Sequence, residues 1–170
     1  MKPLRALAAA GLLMLSSSSA SANEGNSFNA KLTGFQETPS ILTNGKGTFT
    51  SRLNATATEL SYTLSYSGLS TDALVAHIHF AQRGVAGGVV VFLCGGGGKP
   101  ACPPSGGSVS DTITAVDVLE PLGQGITAGS FSDLLAALRS GNTYVNVHTT
   151  NHVFGEIRGQ IPKNQNQDQD

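Results

Sequence analysis

Leu60-Ser61-Tyr62-Thr63-Leu64-Ser65-Tyr66 sets an apolar side chain against a hydroxyl at almost every step. Only an extended chain throws successive residues to opposite faces, so this period of two reads as a strand with one face towards a core and one towards water. The pattern recurs outward in both directions. Residues 28–32 and 47–53 precede it, and 74–80, 89–93, 109–118, 143–149 and 155–161 follow. The run Val89-Val90-Val91-Phe92-Leu93 is apolar on both faces, which predicts a central strand. Asn44-Gly45 and Ser67-Gly68 mark turns. One helical pattern interrupts the strands at 133–139, with Ser132 as its cap, Asp133 at the positive end of the dipole and Gly141 as its stop. It is expected to close one end of the sheet. Eight short strands with frequent turns predict an all-β protein: an antiparallel Greek-key β-sandwich or barrel with one short helix.

The ends of the chain read differently. Residues 1–22 have the form of a secretory signal: Lys2 and Arg5 at the start, an apolar run over 7–15, and Ala20-Ser21-Ala22 before the expected cleavage point. The domain is expected over 23–162, and 163–170 is a polar tail of Asn, Gln and Asp expected to be disordered. Removal of the signal leaves 148 residues, enough for one domain, with no further segment suited to a membrane span. Eight basic and eleven acidic residues remain, so nucleic acid is not an expected partner. Both methionines, Met1 and Met14, leave with the signal. A metal site in the mature chain therefore has no thioether available and draws on imidazole, carboxylate or backbone oxygen.

Cys94 and Cys102 bracket the short loop GGGGKPA. In an exported chain a close, isolated pair favours a disulfide over metal thiolates or a free reactive pair. The four histidines fall in two clusters, His77-Ile78-His79 and His148-Thr149-Thr150-Asn151-His152. Strand alternation puts His77 and His79 on one face and His148 on a common face with Tyr144 and Asn146. A third imidazole from a neighbouring strand would complete a site that Cu or Zn favours, with His152 in a loop as a fourth candidate. Ligand imidazoles must be neutral, so affinity is expected to fall as pH drops through about 6.

Glu156, Arg158 and Gln160 alternate onto one face of the last strand. The expectation is a polar network that includes Glu37 and fixes register, the alternative being Glu37 or Glu156 as acceptor for a ligand imidazole N–H. The glycines of Arg83-Gly84-Val85-Ala86-Gly87-Gly88 join two strands and read as a turn, because a phosphate loop needs a following helix. No nucleophile elbow surrounds Ser105, Ser108 or Ser110.

Three stretches together resemble the CHRD domain, the module named from chordin and widespread in exported bacterial proteins. They are Leu32-Thr33-Gly34-Phe35-Gln36-Glu37-Thr38-Pro39, Ala76-His77-Ile78-His79, and Tyr144-Val145-Asn146-Val147-His148-Thr149 leading into Gly155-Glu156-Ile157-Arg158-Gly159-Gln160-Ile161. The similarity spans about 28–161 and implies a secreted or periplasmic all-β module with no established reaction. A looser similarity, limited to His77-Ile78-His79 and the expected immunoglobulin-like or superoxide-dismutase-like architecture, is to the copper-zinc superoxide dismutases. The chain has no histidine between His79 and His148, so the bridging-ligand pattern of that family is missing.

Three readings of function follow from different classes. The first is an exported binding protein that holds a copper or zinc ion. The second is a structural or adhesive module that meets an extracellular protein or matrix. The third is a metalloenzyme with dismutase-like copper chemistry, for which the sequence identifies no general acid or base beside the ligands, so the balance is against an enzyme.

Overall fold

The computed structural model describes residues 26–163; the expected leader and nearly all of the polar tail lie outside the described residues. Eight strands form one sheet: β1 (Ser27–Thr33), β2 (Lys46–Leu53), β3 (Leu60–Ser67), β4 (Ala73–Phe80), β5 (Gly88–Cys94), β6 (Gly107–Ile113), β7 (Thr143–Thr149) and β8 (Ile157–Ile161). Their order is β5-β4-β7-β8-β1-β2-β3-β6, every pairing is antiparallel, and the two edges curl towards each other into a nearly closed barrel. The alternation that opened the sequence is used as expected. Leu60, Tyr62, Leu64 and Tyr66 point into the barrel beside Phe28, Leu32, Phe49 and Leu53, and the hydroxyls of β3 point out.

Three expectations about the strands are corrected. Residues 89–93 form an edge strand and not a central one. Two irregularities in its register with β4, between Ala76 and His77 and between Ile78 and His79, break the alternation, so that Val90 and Val91, and then Leu93 and Cys94, are buried in adjacent pairs. Its open edge is covered: the Tyr62 hydroxyl donates to Leu93 O, and Leu119 N donates to Val90 O at 2.8 Å. Burial raises the Tyr62 phenol above its usual range and pushes Tyr66, whose hydroxyl donates to Pro103 O, up to about 12. The strand expected over 109–118 stops at Ile113, where Asp117 turns back to accept from Thr114 N at 2.7 Å and closes a helical turn. The last strand starts at Ile157, two residues later than expected, because Gly155 leaves the extended region at φ +126°.

The helix α1 (Phe131–Arg139) begins before the expected Ser132: Ser130 is the cap, accepting from Asp133 N, and Gly141 follows the end with φ +76°. Phe131, Leu134, Leu135, Ala137 and Leu138 join the barrel core. Cys94 and Cys102 are bonded to each other. Within the loop they close, Lys99 Nζ lies 2.9 Å from Asp117 and 3.4 Å from Asp111 and donates to Thr112 O, so a cation with only 6 % of its side chain exposed clamps the loop to β6. Among the described residues no helix is long and apolar enough to cross a membrane.

Candidate metal centre

The outer face of β4, β7 and β8 carries the chemistry. Antiparallel pairing sets His77 opposite Asn146, His79 opposite Tyr144 and Val75 opposite His148, while Asn146 in turn faces Arg158 and Tyr144 faces Gln160. The inward residues of the same strands, Ala76, Ile78, Val145, Val147 and Ile157, are fully buried in the core. That fixes the register, because a slip of one residue would drive the histidines and Arg158 into the barrel.

This outer face is itself buried, which is unusual for a sheet surface made of His, Asn, Arg and Gln. Three loops cover it. From residues 34–41, Glu37 Oε1 accepts from Asn146 Nδ2 at 2.6 Å and Thr38 Oγ1 accepts from Arg158. From 81–87, the carbonyls of Gln82 and Val85 accept from Arg158, and Ala81 O accepts from Gln160. From 150–155, Val153 O accepts from His148. Two glycines permit the close cover. A Cβ on Gly155 would collide with Asn146 Nδ2 and the Glu37 carboxylate, and one on Gly87 would collide with Phe80 O.

The nitrogens that His77, His79 and His148 offer lie within 4.8 Å of one another. Their protonation follows from their partners. His79 Nδ1 is 2.9 Å from Gly87 O and His148 Nδ1 is 3.0 Å from Val153 O. A carbonyl only accepts, so both Nδ1 atoms carry protons and both Nε2 atoms present lone pairs. His77 Nδ1 lies 3.1 Å from His148 Nε2 and donates to it. His79 Nε2, in contrast, is buried with no hydrogen-bond partner. Around the cluster, Phe92 meets the His77 ring edge-on at 4.5 Å, Tyr144 stacks on His79 at 4.7 Å and 3°, and the Arg158 guanidinium lies 3.4 Å from the centre of the Tyr144 ring.

Burial is the main electrostatic influence. His77 and His79 are each 8 % exposed, and desolvation, followed by the neighbouring imidazoles for His77, depresses them to about 3 and about 4. His148 is lowered for the same reason, partly countered by Val153 O. All three are neutral near pH 7, and His77 and His79 stay so for several units below it, so proton competition moves from the expected range near 6 towards 4. Glu37 goes the other way. Desolvation lifts its carboxyl to about 7 against the opposing influence of Arg158, Thr38 N–H and Asn146.

The structure does not bring the other predicted residues into this group. His152 is outside the three-imidazole cluster. It lines a separate cavity of about 320 Å³ with Glu37, Ile41, Val153 and Phe154. Glu156 departs from the face of Arg158 and Gln160: the turn at Gly155 swings its carboxylate to the barrel end, where Thr43, Ser70 N, Ser70 Oγ and Thr149 all donate to it. It is a buried, satisfied anchor, and those donors hold its pKa below the usual value against desolvation, the largest influence on it. Neither carboxylate receives an imidazole N–H; backbone carbonyls of Gly87 and Val153 take that role. The segment 83–88 reads in the sequence only as a connection, and what it contributes is main-chain carbonyls, Gly87 O to His79 and Val85 O to Arg158, which no residue type announces.

No curated protein and no solved structure matches the chain. The family model described as CHRD domain matches residues 28–161, which contain all eight strands except Ser27 and every residue of the histidine cluster and its cover. The chain belongs to the CHRD-domain family.

Proposed function

We propose that this domain is an exported metal-holding module that binds one divalent transition ion, Cu or Zn, through His77 Nδ1, His79 Nε2 and His148 Nε2, with water completing the coordination. The observation that carries the reading is the lone pair of His79 Nε2, buried without a partner while its Nδ1–H is anchored on Gly87 O. A buried polar atom left unpaired costs about 1–3 kcal/mol, and an ion bound there would recover that cost. The carbonyls behind His79 and His148 fix ring orientation and tautomer, as partners of ligand imidazoles do. For His77, binding requires its proton to pass from Nδ1 to Nε2, so the Nδ1···Nε2 hydrogen bond to His148 is replaced by two bonds to the ion. Both cysteines are tied to each other, so no thiolate is offered and the protein's donors in the cluster are imidazoles. Imidazole suits copper and zinc, and Cu(II) stands higher in the affinity order. The signal-like leader and the disulfide support an oxidising compartment outside the cytoplasm.

Elemental analysis after loading and desalting tests the reading. The mature protein should retain one copper or zinc per chain, His152→Ala should retain it too, and the His77→Ala/His79→Ala/His148→Ala variant should retain none while its circular dichroism stays that of a folded β protein. Equal retention by the wild type and the folded triple variant would reject the site.

A further inference from the structure

The opposite side of the barrel carries a second feature, independent of the metal reading. The outward residues of β1, β2, β3 and β6 form a rectangular array of rungs across four strands. Asn29, Thr50, Thr63 and Ser110 make one rung; Lys31, Thr48, Ser65 and Ser108 the next; Ser27, Arg52, Ser61 and Thr112 the third. Neighbours in a rung are about 4.8 Å apart, and successive rungs about 6.8 Å apart. Thr63 with Ser110, and Ser65 with Ser108, share hydroxyl hydrogen bonds at 2.8 and 2.7 Å, which hold the array in one orientation.

The charge on this face is mostly of one sign. Lys31, Lys46 and Arg52 point outward from β1 and β2, exposed, and none has an ion-pair partner among the described residues. No Asp or Glu faces outward from these four strands: Asp111 is opposite buried Tyr62 and turns to Lys99. Glu59, exposed just before β3 and two residues from outward Ser61, is the one carboxylate at its margin, beyond Arg52. The mature chain as a whole has more acidic than basic residues, so a face with three cations to one marginal carboxylate is a local segregation of charge. Lys46 and Arg52 stand six residues apart on one strand, about 20 Å. Shallow grooves run between the strands, one of about 410 Å³ with Lys31, Lys46, Thr48 and Ser65, another of about 370 Å³ with Asn29, Thr50, Arg52 and Thr63.

We infer that this face docks an acidic polysaccharide, a chain of sugars bearing carboxylate or sulfate groups. The spaced cations would meet its charges, and the hydroxyl and amide rungs would exchange hydrogen bonds with its hydroxyls. The face carries no aromatic side chain pointing outward, so it offers nothing for the stacking of bases that single-stranded nucleic acid uses. Binding would be salt-sensitive, because exposed charges are screened over about 8–10 Å at moderate ionic strength.

The test uses the mature protein and three probes: polygalacturonate, neutral dextran of similar length, and a single-stranded oligonucleotide of similar charge. Polygalacturonate should bind, bind more weakly in added salt, and lose about tenfold in affinity in Lys31→Gln/Lys46→Gln/Arg52→Gln, a loss of about 1.4 kcal/mol shared by three exposed ion pairs. Thr48→Val/Thr63→Val should weaken polygalacturonate and leave the oligonucleotide unaffected. Circular dichroism and denaturant unfolding report whether the variants are folded. The proposal is overturned if the folded triple variant binds polygalacturonate as the wild type does, if dextran binds as well as polygalacturonate, or if the oligonucleotide binds at least as tightly.

Discussion

One sheet presents two unlike outer faces. On β4, β7 and β8 alternation turns His77, His79, Tyr144, Asn146, His148, Arg158 and Gln160 outward, and all of them are buried except His148, which is half-buried. On β2, β3 and β6 the residues in the equivalent position are mostly Ser, Thr, Lys and Arg, left wholly or partly to solvent. The strands are alike and the cover differs. Loops 34–41, 81–87 and 150–155 all fold over the first face, and they hold it by side chain to backbone hydrogen bonds and by the Glu37 pair with Asn146. Burying polar groups in this number is costly unless each is paired. The face keeps one imidazole nitrogen unpaired all the same, and that exception is what marks it as a candidate site.

Substitution should separate the faces most sharply at the cover. Gly155→Val places a branched side chain at φ +126° against Asn146 and Glu37, and it should cost about 3 kcal/mol or more in denaturant unfolding. Thr50→Val on the bare face, a surface change with no buried partner, should stay within about 0.5 kcal/mol. A small loss at Gly155 would mean that the loop is not packed on the sheet as described.

The seam between β5 and β6 joins the two halves. Removing the Cys94–Cys102 bond by paired serine substitution should cost about 2–3 kcal/mol, the loop-closure value for a short loop, and should leave the histidine cluster competent. Loss of metal uptake in a folded variant would show that the seam, and not the three loops, organises the site.

Acid separates the faces with a smaller effect and a definite sign. His77 and His79 have folded pKa values of about 3 and about 4, below the ordinary 6.5, so between those values the unfolded chain holds protons that the native one lacks. Their contribution is intact above about pH 6.5 and is lost as pH falls towards 4. Glu37, raised to about 7, acts oppositely: it takes up a proton in the native state first, so its contribution weakens as pH rises from about 4.5 to 7. Unfolding of the metal-free protein should therefore show a decline of about 2 kcal/mol from pH 6.5 to 4 that the triple alanine variant lacks and that Glu37→Gln steepens. Identical slopes in all three proteins would remove the electrostatic account of the face. Smallest of all should be Thr63→Ala, which deletes one exposed hydroxyl bond to Ser110 and should be near neutral in the same unfolding measurement.

Much of this is written in the alternation of the chain. Leu60 to Tyr66 carries strand and facing at once, and His77-Ile78-His79 with Tyr144-Val145-Asn146-Val147-His148 places three imidazoles on outer faces. That β4 and β7 are neighbours is a property of pairing over some seventy residues, which local periodicity does not contain. Val89 to Leu93 misleads because two register irregularities bury consecutive residues at an edge, imitating a central strand. Glu156 looks like a partner of Arg158 until the positive φ of Gly155 turns it away. The acceptors that orient His79 and His148 are main-chain carbonyls, present at every position and visible only once the loops are folded.

The claim that the covered face is a metal site is tested most directly by anomalous diffraction from crystals of the mature protein soaked with zinc or copper. A single anomalous peak bonded at about 2.0–2.1 Å to His77 Nδ1, His79 Nε2 and His148 Nε2 is the predicted result. A peak only at His152, or none between the three imidazoles at full soaking, would contradict it.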